Sequence, residues 1–196
     1  MDPAAPLTPE AVTLDAPTLE TLAARVLDAG PRLGRTRLVC IDGPAGSGKT
    51  TLAARLAGAL PGTVTVHMDD LYAGWTLTGA AARLAAGVLR PVAAGRPGAY
   101  HRYDWAAGRF SPTPTPVPVP AVLVVEGCGS AERAVDRWTS LRVWVEADPV
   151  LRLARGIARD GASLAAELRA WQRTEAAHFA ADGTRDRADV VVDGGA

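Results

Sequence analysis

The sequence predicts an α/β fold, a five-stranded parallel sheet with helices on both faces, and three observations carry that expectation. Short apolar segments of strand length alternate along the chain with stretches of helical periodicity. A glycine-rich run, GPAGSGKT at 43–50, stands between one such strand and the helix after it. Asp42, Asp69 and Glu126 fall at the carboxyl ends of three strands, the edge at which open α/β sheets bind ligands.

Residues 1–15 read as a flexible N-terminal tail, acidic and proline-rich, without the apolar stretch of a signal peptide. The remainder, 16–196, reads as a single domain. Leu19, Leu22, Ala23, Val26 and Leu27 recur at helical spacing, and Gly30-Pro31 stops that helix. Residues 37–42 (RLVCID) form the first buried strand. Leu52, Leu56 and Leu60 mark one face of the helix beyond the glycine run. A second strand at 63–68 (TVTVHM) ends at Asp69-Asp70. The next helix, with Leu84 and Val88 inward, closes at Arg90, because Pro91 cannot continue it.

Residues 91–120 are the least regular stretch, and the alternating prolines of SPTPTPVPVP keep its end extended and exclude a central strand. Residues 121–126 (AVLVVE) and 141–146 (LRVWVE) are the third and fourth strands. Asp148-Pro149 supplies an N-cap and first helical residue for a helix ending near Gly161. Ser163 is positioned to cap a last helix through about residue 181, and 188–192 (ADVVV) is the fifth strand.

Composition narrows the function. A formal charge of +0 leaves no electrostatic footprint for nucleic acid or an anionic membrane. Cys40 and Cys128 lie far apart, which argues against a disulfide framework or a zinc site. No apolar run reaches membrane-spanning length, and the chain is expected to be cytoplasmic. Of 21 basic residues only Lys49 is a lysine, and it stands inside the glycine-rich run, where a compact ammonium on a flexible stem is needed.

That run matches GxxxxGK[ST] in full, with a strand before it and a helix after it, so the α/β fold expected is that of the P-loop NTPases. Backbone N–H groups along Gly43, Ala45, Gly46, Ser47, Gly48, Lys49, Thr50 and Thr51 would cradle phosphates at a helix N-terminus. Lys49 would reach the β- and γ-phosphates of ATP, and the Thr50 hydroxyl would bind Mg²⁺.

In order along the chain, IDGPAGSGKTT, HMDDLY, RYDW, VVEG, RLARGIARD and ADVVV resemble the uridine kinase-like branch of P-loop kinases, which includes nucleoside, nicotinamide riboside, pantothenate and phosphoribulose kinases. The resemblance implies an ATP- and Mg²⁺-dependent transfer of the γ-phosphoryl group to a hydroxyl of a small-molecule acceptor, nucleoside-like or a related metabolite. It puts Asp69 opposite the acceptor hydroxyl, with Asp70 as the neighbour that could exchange roles with it. It puts Tyr72, Tyr103 and Asp104 beside the acceptor, and Glu126 at Mg²⁺ or its water. A hydrogen bond from Glu126 to the P-loop backbone is the alternative use of that carboxylate.

Arg152, Arg155 and Arg159 share one helical face, which reads as a short lid over 152–163. Arg155 would then bind the nucleotide, and Arg159 would neutralise the transferring charge. Six of ten aromatic residues fall between Tyr72 and Phe110, which marks 72–120 as an acceptor insert. Glu175 and His178 share one face of the last helix and either pair with each other, the expected arrangement, or point into the cleft. Two other functions stay open. One is an ATPase switch without an acceptor; the other is a nucleoside monophosphate kinase that uses Arg83, Arg90, Arg96 and Arg102. A guanine-reading NKxD motif is excluded, because the chain has no asparagine.

Overall fold

The computed structural model describes residues 11–13 and 16–195. Its strands are β1 (Ala11–Thr13), β2 (Arg37–Asp42), β3 (Val64–His67), β4 (Gly98–Asp104), β5 (Arg109–Val117), β6 (Val122–Glu126), β7 (Thr139–Glu146) and β8 (Val190–Asp193). Six of them form one parallel sheet in the order β1-β8-β7-β2-β6-β3. Five are the expected strands. The sixth, β1, lies within the stretch read as a tail and pairs with β8, Ala11 opposite Val191. The rest of that stretch lies outside the described residues.

The core explains why RLVCID is apolar without alternation: β2 is central and covered on both faces. Leu38 and Cys40 pack to one side with Val66, Leu123 and Val125. Val39 and Ile41 pack to the other, with Val124, Val143 and Val145. Leu22 and Val26 of α1 (Ala16–Asp28) and Leu52 and Leu56 of α2 (Lys49–Ala59) close this second layer.

Pro91 does not stop its helix. The run α3 (Ala80–Leu84) passes through a π-helical turn (Ala85–Leu89) into α4 (Arg90–Ala93). Proline lacks the N–H and crowds the carbonyl four residues back, and the wider π turn takes up both defects. The proline-rich stretch is also more ordered than expected, because β4 and β5 pair as an antiparallel hairpin outside the main sheet. Pro112, Pro114 and Pro116 are two apart, so their missing N–H groups all fall on one edge of β5 and the other edge pairs with β4.

The final helices are α5 (Pro149–Asp160) and α6 (Ala165–Asp182). Asp148 caps α5 as expected, its Oδ1 accepting from the N–H groups of Val150 and Leu151 at 2.8 and 3.2 Å. Ser163 does not cap α6. A 3₁₀ turn at Ala162–Leu164 leads the chain in, and the cap position is Leu164, which has no side-chain acceptor. Among the described residues no helix is long and apolar enough to cross a membrane.

Candidate active site

Strands β2, β6 and β3 are neighbours, so whatever follows their carboxyl ends converges at one edge of the sheet. After β2 comes the P-loop. Asp42, fully buried, accepts from the N–H groups of Gly43 and Gly129 through Oδ1 and from that of Ala131 through Oδ2. It thereby ties the start of the loop to the segment after β6. Burial pushes its pKa up to about 6, against the pull of these N–H donors and of Lys49.

Gly46 has φ +79°, and a Cβ there would stand 2.6 Å from the Arg152 carbonyl, so the loop can run this close to α5 only with glycine. The N-cap of α2 is Gly48, with no side-chain cap. The first-turn N–H groups of α2 therefore have neither an intrahelical acceptor nor a side-chain one, as a phosphate cradle requires. Ser47 Oγ is buried without a hydrogen-bond partner among the described residues. Lys49 is buried and donates to the Pro44 carbonyl at 2.8 Å, curled over the loop it serves. These features fit a nucleotide triphosphate.

Ala45 departs from the expected cradle. Its N–H donates to Glu175 Oε2 at 2.8 Å, and its carbonyl accepts from Arg152 at 3.3 Å. Both backbone groups are thus engaged by protein. Glu175 is 1% exposed and pairs with Arg152 at 2.7 Å, so its partner is not His178. His178 Nε2 is instead buried without a hydrogen-bond partner among the described residues. The sequence signal for Glu175 was its place one turn after Trp171 on an otherwise apolar face, where a carboxylate requires a bound cation or donor.

At the end of β6, the 5%-exposed Glu126 accepts from Thr50 Oγ1 at 3.2 Å, so the two expected metal ligands are brought together. Its other partner is His67 Nδ1 at 2.6 Å, a residue the sequence did not single out. That hydrogen bond raises the His67 pKa. A hydroxyl and one carboxylate are hard oxygen ligands suited to Mg²⁺, which completes its octahedron with water and phosphate oxygens. Among the described residues no group of three or more His, Cys, Asp or Glu side chains could hold a metal by itself.

Asp69 and Asp70 occupy one 3₁₀ turn, Met68–Asp70, rather than the strand end itself. Asp70 is buried and engaged: Oδ2 accepts from Tyr100 Oη at 3.0 Å and Oδ1 from Arg102 Nε at 3.0 Å. The Asp69 carboxylate has no hydrogen-bond partner among the described residues. It faces outward, yet enough protein surrounds it to raise its pKa, burial acting first and the Glu126 charge second. Lys49, Arg159 and His67 oppose that rise and so lie within its electrostatic reach.

The expected acceptor residues divide. Tyr72 is 2% exposed, donates to the Cys128 carbonyl at 2.8 Å and packs on Trp171, so it is a wall of the core. Asp104 accepts from the N–H groups of Ala106 and Ala107 through Oδ1 and closes the hairpin turn. Tyr103 is half-buried between Trp105 and Phe110. Trp75 and Trp105 are the exposed aromatics here, 42% and 44%, in edge contact at 5.4 Å. Trp105 Nε1 donates to the Asp69 carbonyl at 3.2 Å. Their part was hidden in a general aromatic enrichment.

The arginine row divides too. Arg152 binds the Ala45 and Ala147 carbonyls besides Glu175, and Arg155 binds the carbonyls of Gly46 at 3.2 Å and Gly194 at 2.8 Å. These two brace the P-loop from behind. Arg159 is 63% exposed and forks onto Asp160. It also lines a crevice with Ala45, Gly46 and Trp171. Arg83 donates to the Leu71 and Thr78 carbonyls and lies over the Phe110 ring.

No family model matches the chain, and no curated protein matches its sequence. Its fold has close counterparts among solved structures. A protein described as a possible uridine kinase from Bacillus stearothermophilus superposes with a TM-score of 0.64 at 22% identity, over 89% of this chain and 97% of that one. A protein provisionally described as a fructose transport system kinase from Silicibacter sp. TM1040 gives 0.59 at 19%, over 89% and 98%. The chain has the fold of P-loop kinases.

Proposed function

We propose that this chain is an ATP·Mg²⁺-dependent kinase that transfers the γ-phosphoryl group to a hydroxyl of a small molecule, nucleoside-like or a related metabolite. The observation that carries the reading is the Asp69 carboxylate. It has no hydrogen-bond partner among the described residues, and it stands within electrostatic reach of the P-loop lysine, Glu126 and Arg159. A carboxylate so placed can orient an acceptor hydroxyl, or water in an ATPase, and the acceptor dependence of ADP release distinguishes the two.

The cradle formed by Gly43, Gly46, Ser47, Gly48, Lys49, Thr50 and Thr51 holds the triphosphate, and Lys49 swings from the Pro44 carbonyl to the β/γ-oxygens. Thr50 and Glu126 hold Mg²⁺, which when bound neutralises phosphate charge. Arg155 adds its remaining donors at the nucleotide, and Arg159 leaves Asp160 to meet the transferring charge. Asp69 orients the acceptor hydroxyl and accepts its proton as the new O–P bond forms and the bond from the γ-phosphorus to the departing ADP breaks. The acceptor lies along the 72–120 insert, with Tyr103, Trp75 and Trp105 as its aromatic wall. An ADP-release screen with ATP·Mg²⁺ against nucleosides, vitamins, sugars and nucleoside monophosphates tests the proposal. ADP release that requires a nucleoside, vitamin or sugar supports it; release that requires a nucleoside monophosphate, or that runs at the same rate without any acceptor, contradicts it.

A further inference from the structure

We infer that Asp70 is a positioning residue for the acceptor: with Arg102 it latches the β4–β5 hairpin onto the catalytic turn and thereby sets acceptor affinity. The inference rests on the proposed kinase reading for its kinetic part only. Two neighbouring carboxylates in one turn divide their work. Asp69 keeps its oxygens free, while Asp70 spends one on Tyr100 and the other on Arg102, both from β4. The ladder register shifts between His101 and Tyr103, where Arg102 of β4 stands opposite the extra residues of β5 between Phe110 and Pro114, an irregularity of the kind that bends and twists a ribbon locally. Trp105, just past the end of β4, adds a third link through its hydrogen bond to the Asp69 carbonyl.

The root of the hairpin is held independently of this latch. A Cβ on Gly87 would stand 2.5 Å from the Ala99 carbonyl, and one on Gly98 would stand 2.5 Å from the Gly87 carbonyl. Such close backbone contact fixes where β4 leaves the helix. Loss of the latch therefore swings the outer hairpin and leaves its base seated. What swings is Trp105, whose edge contact with Trp75 continues to Trp171 at 5.9 Å, beside the P-loop crevice. An acceptor held against Trp75 and Trp105 would then lose its wall, whereas the ATP cradle would not move.

Two readouts test this, one free of activity. Asp70→Ala, Arg102→Ala and the double variant are compared with wild type by near-ultraviolet circular dichroism, with Trp105→Phe as the reference for a broken Trp75–Trp105 contact. The latch predicts a tryptophan signal loss in both single variants, at least as large in Asp70→Ala because Tyr100 is released too, no loss in the double variant beyond that of Asp70→Ala, and ATP·Mg²⁺ affinity within about threefold of wild type. With the best acceptor of the screen, KM rises at least about tenfold while kcat stays within about threefold. A wild-type tryptophan signal in Asp70→Ala overturns the latch. So does a fall in kcat at unchanged KM, which would make Asp70 the catalytic carboxylate. If wild type phosphorylates no acceptor but the tryptophan signal is lost as described, the latch stands and the kinase proposal fails.

Discussion

Lys49, Asp69 and Glu126 reach the same sheet edge after three different strands, and the sequence disclosed them by two kinds of signal. Lys49 was marked by its motif and by being the sole lysine. Asp69 and Glu126 were marked by position at the end of apolar segments, where a carboxylate requires a reason. Partners were not legible, because they depend on which side chains meet after folding. Glu175 meets Ala45 and Arg152 from 130 and 23 residues away, and no local pattern records that. The partner of Tyr72, the Cys128 carbonyl, was hidden for the same reason. The motif position of Tyr72 suggested the acceptor, but its hydroxyl is used inside the core. Tyr72→Phe should therefore leave acceptor KM unchanged and lower stability by about 1 kcal/mol through one lost buried hydrogen bond, measured by urea unfolding. A tenfold rise in acceptor KM would return Tyr72 to the acceptor site.

At the scale of elements, apolar runs and caps were read correctly wherever one local rule acted alone. The five core strands and the Asp148 cap are of that kind. Local rules failed where a second one intervened. Pro91 should end a helix, and a π turn lets the helix continue. Alternating prolines exclude a central strand, but their period of two permits a hairpin with one paired edge. Ser163 has cap chemistry, yet the chain enters α6 through a 3₁₀ turn that makes the residue irrelevant as a cap. The two caps can be separated by mutation. Asp148→Ala should cost about 1 kcal/mol, and Ser163→Ala should stay within about 0.5 kcal/mol of wild type, by urea unfolding. Equal losses would mean that Ser163 caps α6 in solution.

At the scale of the whole molecule, the buried edge carries a proton balance that should appear in its stability. Burial raises Asp42 from 3.8 to about 6, and Asp69 is raised as well. Such acids bind protons more strongly folded than unfolded, so stability grows as pH falls through that window. His67, raised by its bond to Glu126, has the same sign: its contribution is complete below the unfolded value of 6.5 and is lost as pH rises through the folded one. Glu146, held low by Arg185, acts oppositely and loses its contribution only as pH falls below 4.5. The melting temperature should therefore be higher near pH 5.5 than near pH 7.5 and drop again below about pH 4. A steady decline from pH 7.5 to 5.5 would contradict this balance. Nucleotide binding should add to stability by mass action, and Lys49→Ala should remove most of the rise in melting temperature that ATP·Mg²⁺ gives. Equal rises in the two proteins would sink the assignment of the cradle.

The central claim is that phosphoryl transfer to a hydroxyl takes place at the free carboxylate of Asp69. Asp69→Asn keeps the size of the side chain and removes its charge and basicity. Steady-state transfer from ATP·Mg²⁺ to the acceptor found by screening, wild type against Asp69→Asn, is the measurement that tests it most directly. The account predicts that kcat falls by about 10²–10⁴-fold with ATP affinity preserved. It also predicts an acid limb in the wild-type profile above the ordinary carboxylate range, in keeping with the raised pKa of Asp69. An Asp69→Asn protein that phosphorylates the acceptor at the wild-type rate would contradict the account.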